Sequence, residues 1–289
     1  MAVLNAIIWG ITPYIIKPAL ARIPFQAFLF YRFLQVVLIL FVLNPVKFLK
    51  SLFTKKLPKP LYLSGILFNF VTLYFFFWGL TYVSPTVGAV LAAIGPIFLV
   101  FWGIFVNKDK IERQEFIGLL FVLIGYGFLI FDNSVIQFDW RGVVLLLLGN
   151  VAFIIATIIN KRYIDEKSES VYELWSYVLA AILFGVINFF KHPDYINVFK
   201  HFAEFLSFEV LFTSIGASLA AVWAYNRALM YLEISEVSIF AYLQPFFGVL
   251  YYWFVTGASI GFATLVGLAI MLIGTIVNFL GVRHERKYD

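Results

Sequence analysis

Two stretches of this 289-residue chain contain no Asp, Glu, Lys, Arg or His: Pro60 to Asn107 and Val237 to Val282, 48 and 46 residues long. A helix crosses the hydrocarbon core of a bilayer with about 20 apolar residues, so each stretch holds two crossings and a turn. The apolar runs are continuous and do not alternate with polar residues. That requires helices, because barrel strands would turn every second side chain toward a lumen. Over the whole chain 63% of residues are hydrophobic and 13% charged, about half the roughly 25% charge of a soluble domain. A water-soluble globule is excluded.

Hydropathy predicts spans near Ala2 to Leu20, Phe25 to Leu43, Leu61 to Thr81, Thr86 to Val106 and Phe116 to Phe131. Five more follow near Gly142 to Asn160, Leu174 to Phe190, Val210 to Leu232, Val237 to Thr256 and Ile260 to Val282. The expected fold class is therefore an all-α membrane protein with ten transmembrane helices. Lys and Arg placement sets its orientation, because cytoplasmic connections carry the excess. With Met1 inside, the inner connections hold 14 of the 21 Lys and Arg: Lys47, Lys50, Lys55, Lys56, Lys59, Lys108, Lys110, Arg113, Lys161, Arg162, Lys167, Arg283, Arg286 and Lys287. The outer ones hold Arg22, Arg141, Lys191 and Lys200. Both termini are expected in the cytoplasm, and the membrane is expected to be a prokaryotic inner membrane.

The chain has no cysteine, so disulfides and thiolate metal sites are absent. His192, His201 and His284 fall in connections or the tail, with no second ligand at metal spacing. No metal or cofactor is expected. The net charge of +5 is not a nucleic-acid footprint, since no basic cluster is interleaved with exposed aromatics. Expected partners are a small-molecule substrate and membrane lipid, with the lysines between Lys47 and Lys59 setting topology and meeting anionic headgroups.

Sliding the chain against itself by 149 positions aligns Leu80 with Leu229, Tyr82 with Tyr231, Ala92 with Ala241, Pro96 with Pro245, Phe98 with Phe247, Gly118 with Gly267 and Gly125 with Gly274, without a gap. Apolar residues match by chance; a proline and two glycines in register do not. The expected units are 1–134 and 139–289. Each has five spans, an odd number, so the second enters from the opposite side. The charged turn Asn107 to Glu115 and its uncharged partner Thr256 to Thr264 agree with that reversal. Inverted repeats of this kind are common in alternating-access transporters.

The motifs AIIWGITPYIIK (Ala6 to Lys17), YRFL (Tyr31 to Leu34), GLTYVSPTVGAVLAAIGPIF (Gly79 to Phe98) and GLLFVLIG (Gly118 to Gly125) occur in that order. RALMYLEISEVSIFAYLQPFFGVL (Arg227 to Leu250) and GLAIMLIG (Gly267 to Gly274) repeat the pattern. Nearly the whole chain thus resembles the EamA-type repeat of the drug/metabolite transporter superfamily. The resemblance implies a transporter whose cargo is drawn from amino acids, their derivatives, other metabolites and drugs. Family members often place Glu after the fourth and ninth spans; here the first of those turns has Asp109 or Glu112 and the second has none.

Arg32 lies seven residues inside the second span, about 10 Å deep, where arginine costs ~2.5 to 3.5 kcal/mol. It reads either as an anion clamp, its fork matching carboxylate or phosphate, or as an arginine tied to helix-end carbonyls. Lys17 and Arg227 sit near span ends, where they either snorkel or join the site. Glu173, Glu209, Glu233 and Glu236 all fall near boundaries, so the intramembrane balance reads as positive. That disfavours a cationic cargo and leaves no usual proton carrier.

Pro96 and Pro245 are mid-span and each removes a helix bond, freeing the carbonyls of Ala92 and Ala241; with Pro13 they are candidate kinks or gates. Candidate cavity residues are Trp9, Tyr14, Asn69, Trp78, Tyr82, Asn150, Trp223, Asn226, Tyr242 and Gln244, of which Gln244 is favoured because an amide in a membrane needs partners. Gly118, Gly125, Gly267 and Gly274 predict close packing of the fifth and tenth spans. The expected function is secondary transport by alternating access, exporting small metabolites such as amino acids or other carboxylate-bearing compounds. A broad drug exporter is the alternative within transport. A membrane-embedded enzyme or lipid-handling protein would need a nucleophile, base or metal cluster near a membrane face, and the sequence offers none.

Overall fold

The computed structural model describes residues 1–54, 56–102, 113–131, 139–257 and 259–285. The turn residues Lys108, Asp109, Lys110 and Glu112 lie outside them, as do Lys55, Arg286, Lys287 and the last four residues of the predicted fourth span. Among the described residues there are ten helices long and apolar enough to cross a membrane and no strand. They are α1 (Ala2–Ala19), α2 (Phe25–Leu43), α3 (Lys59–Tyr82), α4 (Pro85–Trp102), α5 (Arg113–Phe131), α6 (Trp140–Tyr163), α7 (Glu169–Lys191), α8 (Phe208–Tyr231), α9 (Ile234–Ala241 and Gln244–Thr256) and α10 (Phe262–Glu285).

Several helices outrun the expected spans because hydropathy sees only their apolar middles. The α7 helix begins at Glu169, five residues before the predicted start, since the polar residue that opens it is buried against protein: Glu169 is 3% exposed. Local chemistry fixes other ends. The Asp139 carboxylate accepts from the Arg141 amide at 2.8 Å to start α6, and Glu233 and Glu236 form a capping box that starts α9. Gly257, at φ 63°, ends α9 in the left-handed conformation that glycine adopts without a Cβ clash. Between α2 and α3 a short helix, Pro45–Thr54, exposes Val46 and Phe53 together with Lys47 and Lys50. This composition suits a helix lying at the bilayer surface.

Close helix approach occurs where glycine removes the side chain. A Cβ on Gly118 would stand 2.6 Å from the Gly274 carbonyl oxygen, and one on Gly125 would stand 2.7 Å from that of Gly267. Here α5 meets α10, as the glycine spacing predicts. Because 118 faces 274 while 125 faces 267, the two helices run antiparallel. The α2 and α7 helices also run antiparallel, with Asn188 Nδ2 donating to the Gln26 carbonyl at one end and Phe33 stacked on Phe184 farther along.

Two lysines finish helices in matching ways. Lys17 Nζ donates to the carbonyls of Leu80, Thr81 and Val83 at 2.7, 3.1 and 2.8 Å, closing the end of α3. Lys161 Nζ donates to those of Leu229 and Leu232, both at 2.8 Å, closing the end of α8. Adding 149 to Leu80 and Val83 gives Leu229 and Leu232. The caps themselves are related by a shift of 144, which the gapless alignment does not contain. Both α3 and α8 also include a π-helical stretch, Ile66–Val71 and Phe212–Ala220, and the same 149 shift carries the first into the second.

Candidate functional site

A cavity of about 110 Å³ lies between α1, α2, α3, α4, α6, α8 and α9, close to the middle of each helix. That volume holds several waters. Its wall is mostly apolar and carries an aromatic cluster, with Trp9 against Phe68, Phe153 and Tyr225 at ring-centroid distances of 6.2, 6.1 and 5.2 Å. Both π-helical stretches contribute, through Phe68 and Asn69 on α3 and Ala217 on α8. Such wide turns displace side chains from the regular helical face and recur at functional sites.

Of the sequence-predicted residues, Trp9, Arg32, Asn69, Asn150, Gln244 and Pro96 line this cavity. The others lie outside the lining. Lys17 is held at the end of α3 by three carbonyls, so its charge faces backbone. Tyr14 donates to Thr86 Oγ1 at 3.1 Å and packs on Tyr252. Trp78 stacks on Phe25, and Tyr82 lies beneath the Arg141 guanidinium at 4.8 Å, both near the far end of α3. Trp223 is 40% exposed and faces outward, whereas Val222 and Tyr225 on the same helix turn inward. Tyr242 is buried in the α4–α5–α9–α10 core, and Asn226 lies beside Glu173. Pro13 neighbours Gly88, and Pro245 opens the second segment of α9.

Arg32 is 3% exposed and is the one charged residue among the described residues that line the cavity. Its Nε donates to Ser218 Oγ at 2.8 Å, and its guanidinium carbon lies 5.5 Å from the Phe33 ring and 6.0 Å from that of Phe77. Among the described residues no carboxylate pairs with it and no helix-end carbonyl accepts from it. The terminal nitrogens thus keep their donors for whatever enters the cavity, in the planar fork that suits carboxylates. Gln244 is 5% exposed, and its side-chain amide makes no hydrogen bond among the described residues.

The two mid-span prolines act differently. The α4 helix stays continuous through Pro96, and Asn150 Nδ2 donates to the Leu91 carbonyl at 2.6 Å. At Pro245 α9 breaks, and Tyr126 donates to the Tyr242 carbonyl at 3.1 Å. Ala92 and Ala241, whose carbonyls lose their donors to the prolines, both line the cavity. Discontinuous helices that present backbone carbonyls near the midplane recur at transporter binding sites.

The expectation that boundary carboxylates stay clear of the interior needs correction at α7. Glu169 is buried and pairs with Arg227 Nη2 at 2.8 Å. Glu173, one turn further in, accepts from Asn226 Nδ2 at 3.2 Å. Hydropathy put Glu173 at a boundary because it weighs residue type; α8 side chains cover it and make that boundary part of the protein interior. Arg227, itself partly exposed, accordingly pairs with carboxylates.

The EamA-like transporter family model matches residues 1–131 and again 140–280. The chain belongs to this family. Similar proteins have transporter names: an uncharacterized transporter of Archaeoglobus fulgidus is 23% identical over 95% of this chain and 94% of its own. The uncharacterized transporter YyaM of Bacillus subtilis is 22% identical over 74% of this chain and 70% of its own. The uncharacterized inner membrane transporter YhbE of Escherichia coli K12 is 29% identical over 47% and 43%. A solved crystal structure shares the fold with a TM-score of 0.74 at 18% identity, covering 98% of this chain and 97% of that one. This EamA protein is thus an integral membrane transporter. The first family match covers α1 to α5 and the second α6 through most of α10, so the lysine caps and the π-helical stretches occur once in each match.

Sequence reading did not single out Thr12, Phe68, Thr72, Phe76, Phe77, Phe153 or Tyr225, all of which line the cavity. In a chain this rich in aromatics the five ring residues carried no signal, and Thr12 and Thr72 bond to carbonyls of their own helices as threonines in any span do. Helix register through a π turn is not legible from spacing.

Proposed function

We propose that this EamA protein is a secondary transporter exporting small carboxylate-bearing metabolites, such as amino acids, by alternating access. The Arg32 guanidinium in the mid-membrane cavity, with no carboxylate partner among the described residues, carries this reading: its fork binds the cargo carboxylate while the aromatic cluster holds the remainder. A buried arginine without a counterion is costly, and an anionic cargo supplies one. The antiparallel pairs α5/α10 and α2/α7 support two inverted units, 1–134 and 139–289, that rock about the cavity. Excess Lys and Arg at the Met1 end supports cytoplasmic termini in an inner membrane.

The aromatic cluster around Trp9 also suits flat apolar drugs, which makes broad drug export the second reading. Counterflow in proteoliposomes separates the two when amino acids, organic acids and cationic dyes are compared. Carboxylates should exchange and dyes should not. Arg32→Lys should weaken apparent affinity, and Arg32→Gln should abolish carboxylate exchange. Dye exchange that survives Arg32→Gln would favour the drug reading.

A further inference from the structure

We propose that Glu173 and Asn226 form a proton-binding site where α7 meets α8, at the Met1 end of the bundle. Its chemistry differs from that of the neighbouring pair. Glu169 is neutralised by Arg227 Nη2 at 2.8 Å, whereas Glu173 makes no ion pair among the described residues and accepts only from Asn226 Nδ2 at 3.2 Å. Asn226 is 1% exposed, and its Oδ1 has no hydrogen-bond partner among the described residues. A buried acceptor without a donor costs about 1 to 3 kcal/mol. The facing carboxylate has no proton with which to relieve it.

One added proton supplies that donor. The carboxylate becomes a carboxylic acid, its O–H donates to Asn226 Oδ1, and Asn226 Nδ2 continues to donate to the other carboxyl oxygen. Acid and amide then form a closed pair of hydrogen bonds, and the cluster loses its uncompensated negative charge. Glu173 is partly exposed while Asn226 is buried, so protons reach the carboxyl from the Met1 end.

The neighbours leave Glu173 as the group free to change state. On α7 the titratable groups beside it are Glu169, Tyr172 and Tyr177, and α8 brings Arg227. The α2 helix brings Arg32, on the far side of Tyr177. From α3, Tyr62 packs on Trp175 and Asn69 bonds to Ser176. The short helix 45–54 brings Lys47 and Lys50, both exposed. Glu169 is already committed to Arg227, and tyrosines remain neutral across the physiological range.

The site is wired to the cavity. Ser176 Oγ donates to the Glu173 carbonyl at 2.8 Å and accepts from Asn69 Nδ2 at 2.9 Å, and Asn69 lines the cavity. One turn along α7, Tyr177 donates to the carbonyl of Ser218, whose hydroxyl accepts from Arg32. A change in the α7–α8 contact therefore bears on the cargo clamp. Coupling of protons to cargo rests on the transporter reading; the proton site itself does not.

The test uses the full chain in proteoliposomes on a solid-supported membrane, with the proton alone as probe and no cargo. A step to acidic buffer should give a transient binding current, lost in Glu173→Gln and retained in Glu173→Asp and Arg32→Gln. Retention in Arg32→Gln separates this site from the cargo reading, which Arg32 carries. Unmodified protein supplies a second readout if Glu173→Gln fails to fold. A hydrophobic carbodiimide, which reacts with protonated carboxyls, should label Glu173 in acidic buffer and progressively less as pH rises. A wild-type-like current in Glu173→Gln, or no pH-dependent labelling at Glu173, would overturn the proposal.

Discussion

The two halves share contacts at their helix ends and differ at their centre. Lys17 closes α3 and Lys161 closes α8 on carbonyls 149 residues apart. Nearer the middle the same kind of equivalence holds for position but not for chemistry. Arg32 bonds to Ser218, whereas Ser176 bonds to Asn69. A shift of 144 takes Arg32 to Ser176, and 149 takes Asn69 to Ser218. Equivalent positions thus hold a cation on one side of the cavity and a neutral pair on the other. Likewise Phe77, which lies under Arg32, corresponds by 149 to Asn226, the partner of Glu173. Contacts that both halves keep hold the frame, and contacts that diverge carry the chemistry.

The largest effect should come from breaking a shared backbone contact. A Cβ at Gly125 already falls 2.7 Å from the Gly267 carbonyl oxygen, so Gly125→Val must separate α5 from α10. Overpacking typically costs about 1 to 3 kcal/mol, and backbone that cannot yield makes this case worse. Expression and detergent melting should collapse, and Gly267→Val should do the same. A mild loss in either would show that α5 and α10 do not need the close approach.

Next are the lysine caps. Lys161→Met strips donors from two carbonyls, at about 1 to 3 kcal/mol each where they stay buried. Its melting temperature should fall by an amount similar to that of Lys17→Met. Strongly unequal losses would mean that the matching geometry is not matching function.

A smaller and more selective effect is expected at the divergent pair. Ser218→Ala removes the acceptor that orients Arg32 and should weaken apparent carboxylate affinity by up to about tenfold, or 1.4 kcal/mol. Ser176→Ala, at the equivalent position, should leave that affinity close to wild type. Equal losses in concentration-dependent counterflow would erase the distinction between the two sides.

The smallest effect concerns the starts of α1 and α6, which differ in that Asp139 caps α6 while no side chain caps α1. Hydrogen bonds from Arg141 hold the Asp139 carboxyl below the usual carboxylate range. A depressed value means the cap stabilises the fold above the unfolded-state titration and is lost as pH falls through the folded one. Asp139→Asn should therefore lower the melting temperature slightly at neutral pH, with the difference from wild type closing in strong acid.

Continuous apolar runs made the ten crossings legible, because a bilayer leaves backbone polar groups no other way to be satisfied. The repeat was legible where Pro96, Pro245 and the four glycines kept a gapless register. Equivalence between Lys17 and Lys161 was not, since the shift there is 144. The burial of Arg32 followed from its depth in α2. Its choice between carbonyls and an open cavity depended on Ser218, brought over by a π-helical stretch. Glu173 was hidden for a related reason: position within a span does not reveal which neighbour covers it.

The claim that divergence marks the site is tested most directly by comparing buried Arg32 with half-buried Lys17 for carboxylate counterflow per folded molecule and for melting. Arg32→Gln should lose counterflow while melting close to wild type, because Ser218 is the one hydrogen-bonding partner of its side chain among the described residues. Lys17→Met should melt lower yet keep counterflow, because its partners are the carbonyls that end α3. Counterflow that survives Arg32→Gln, or is lost in Lys17→Met molecules that remain folded, would contradict the account.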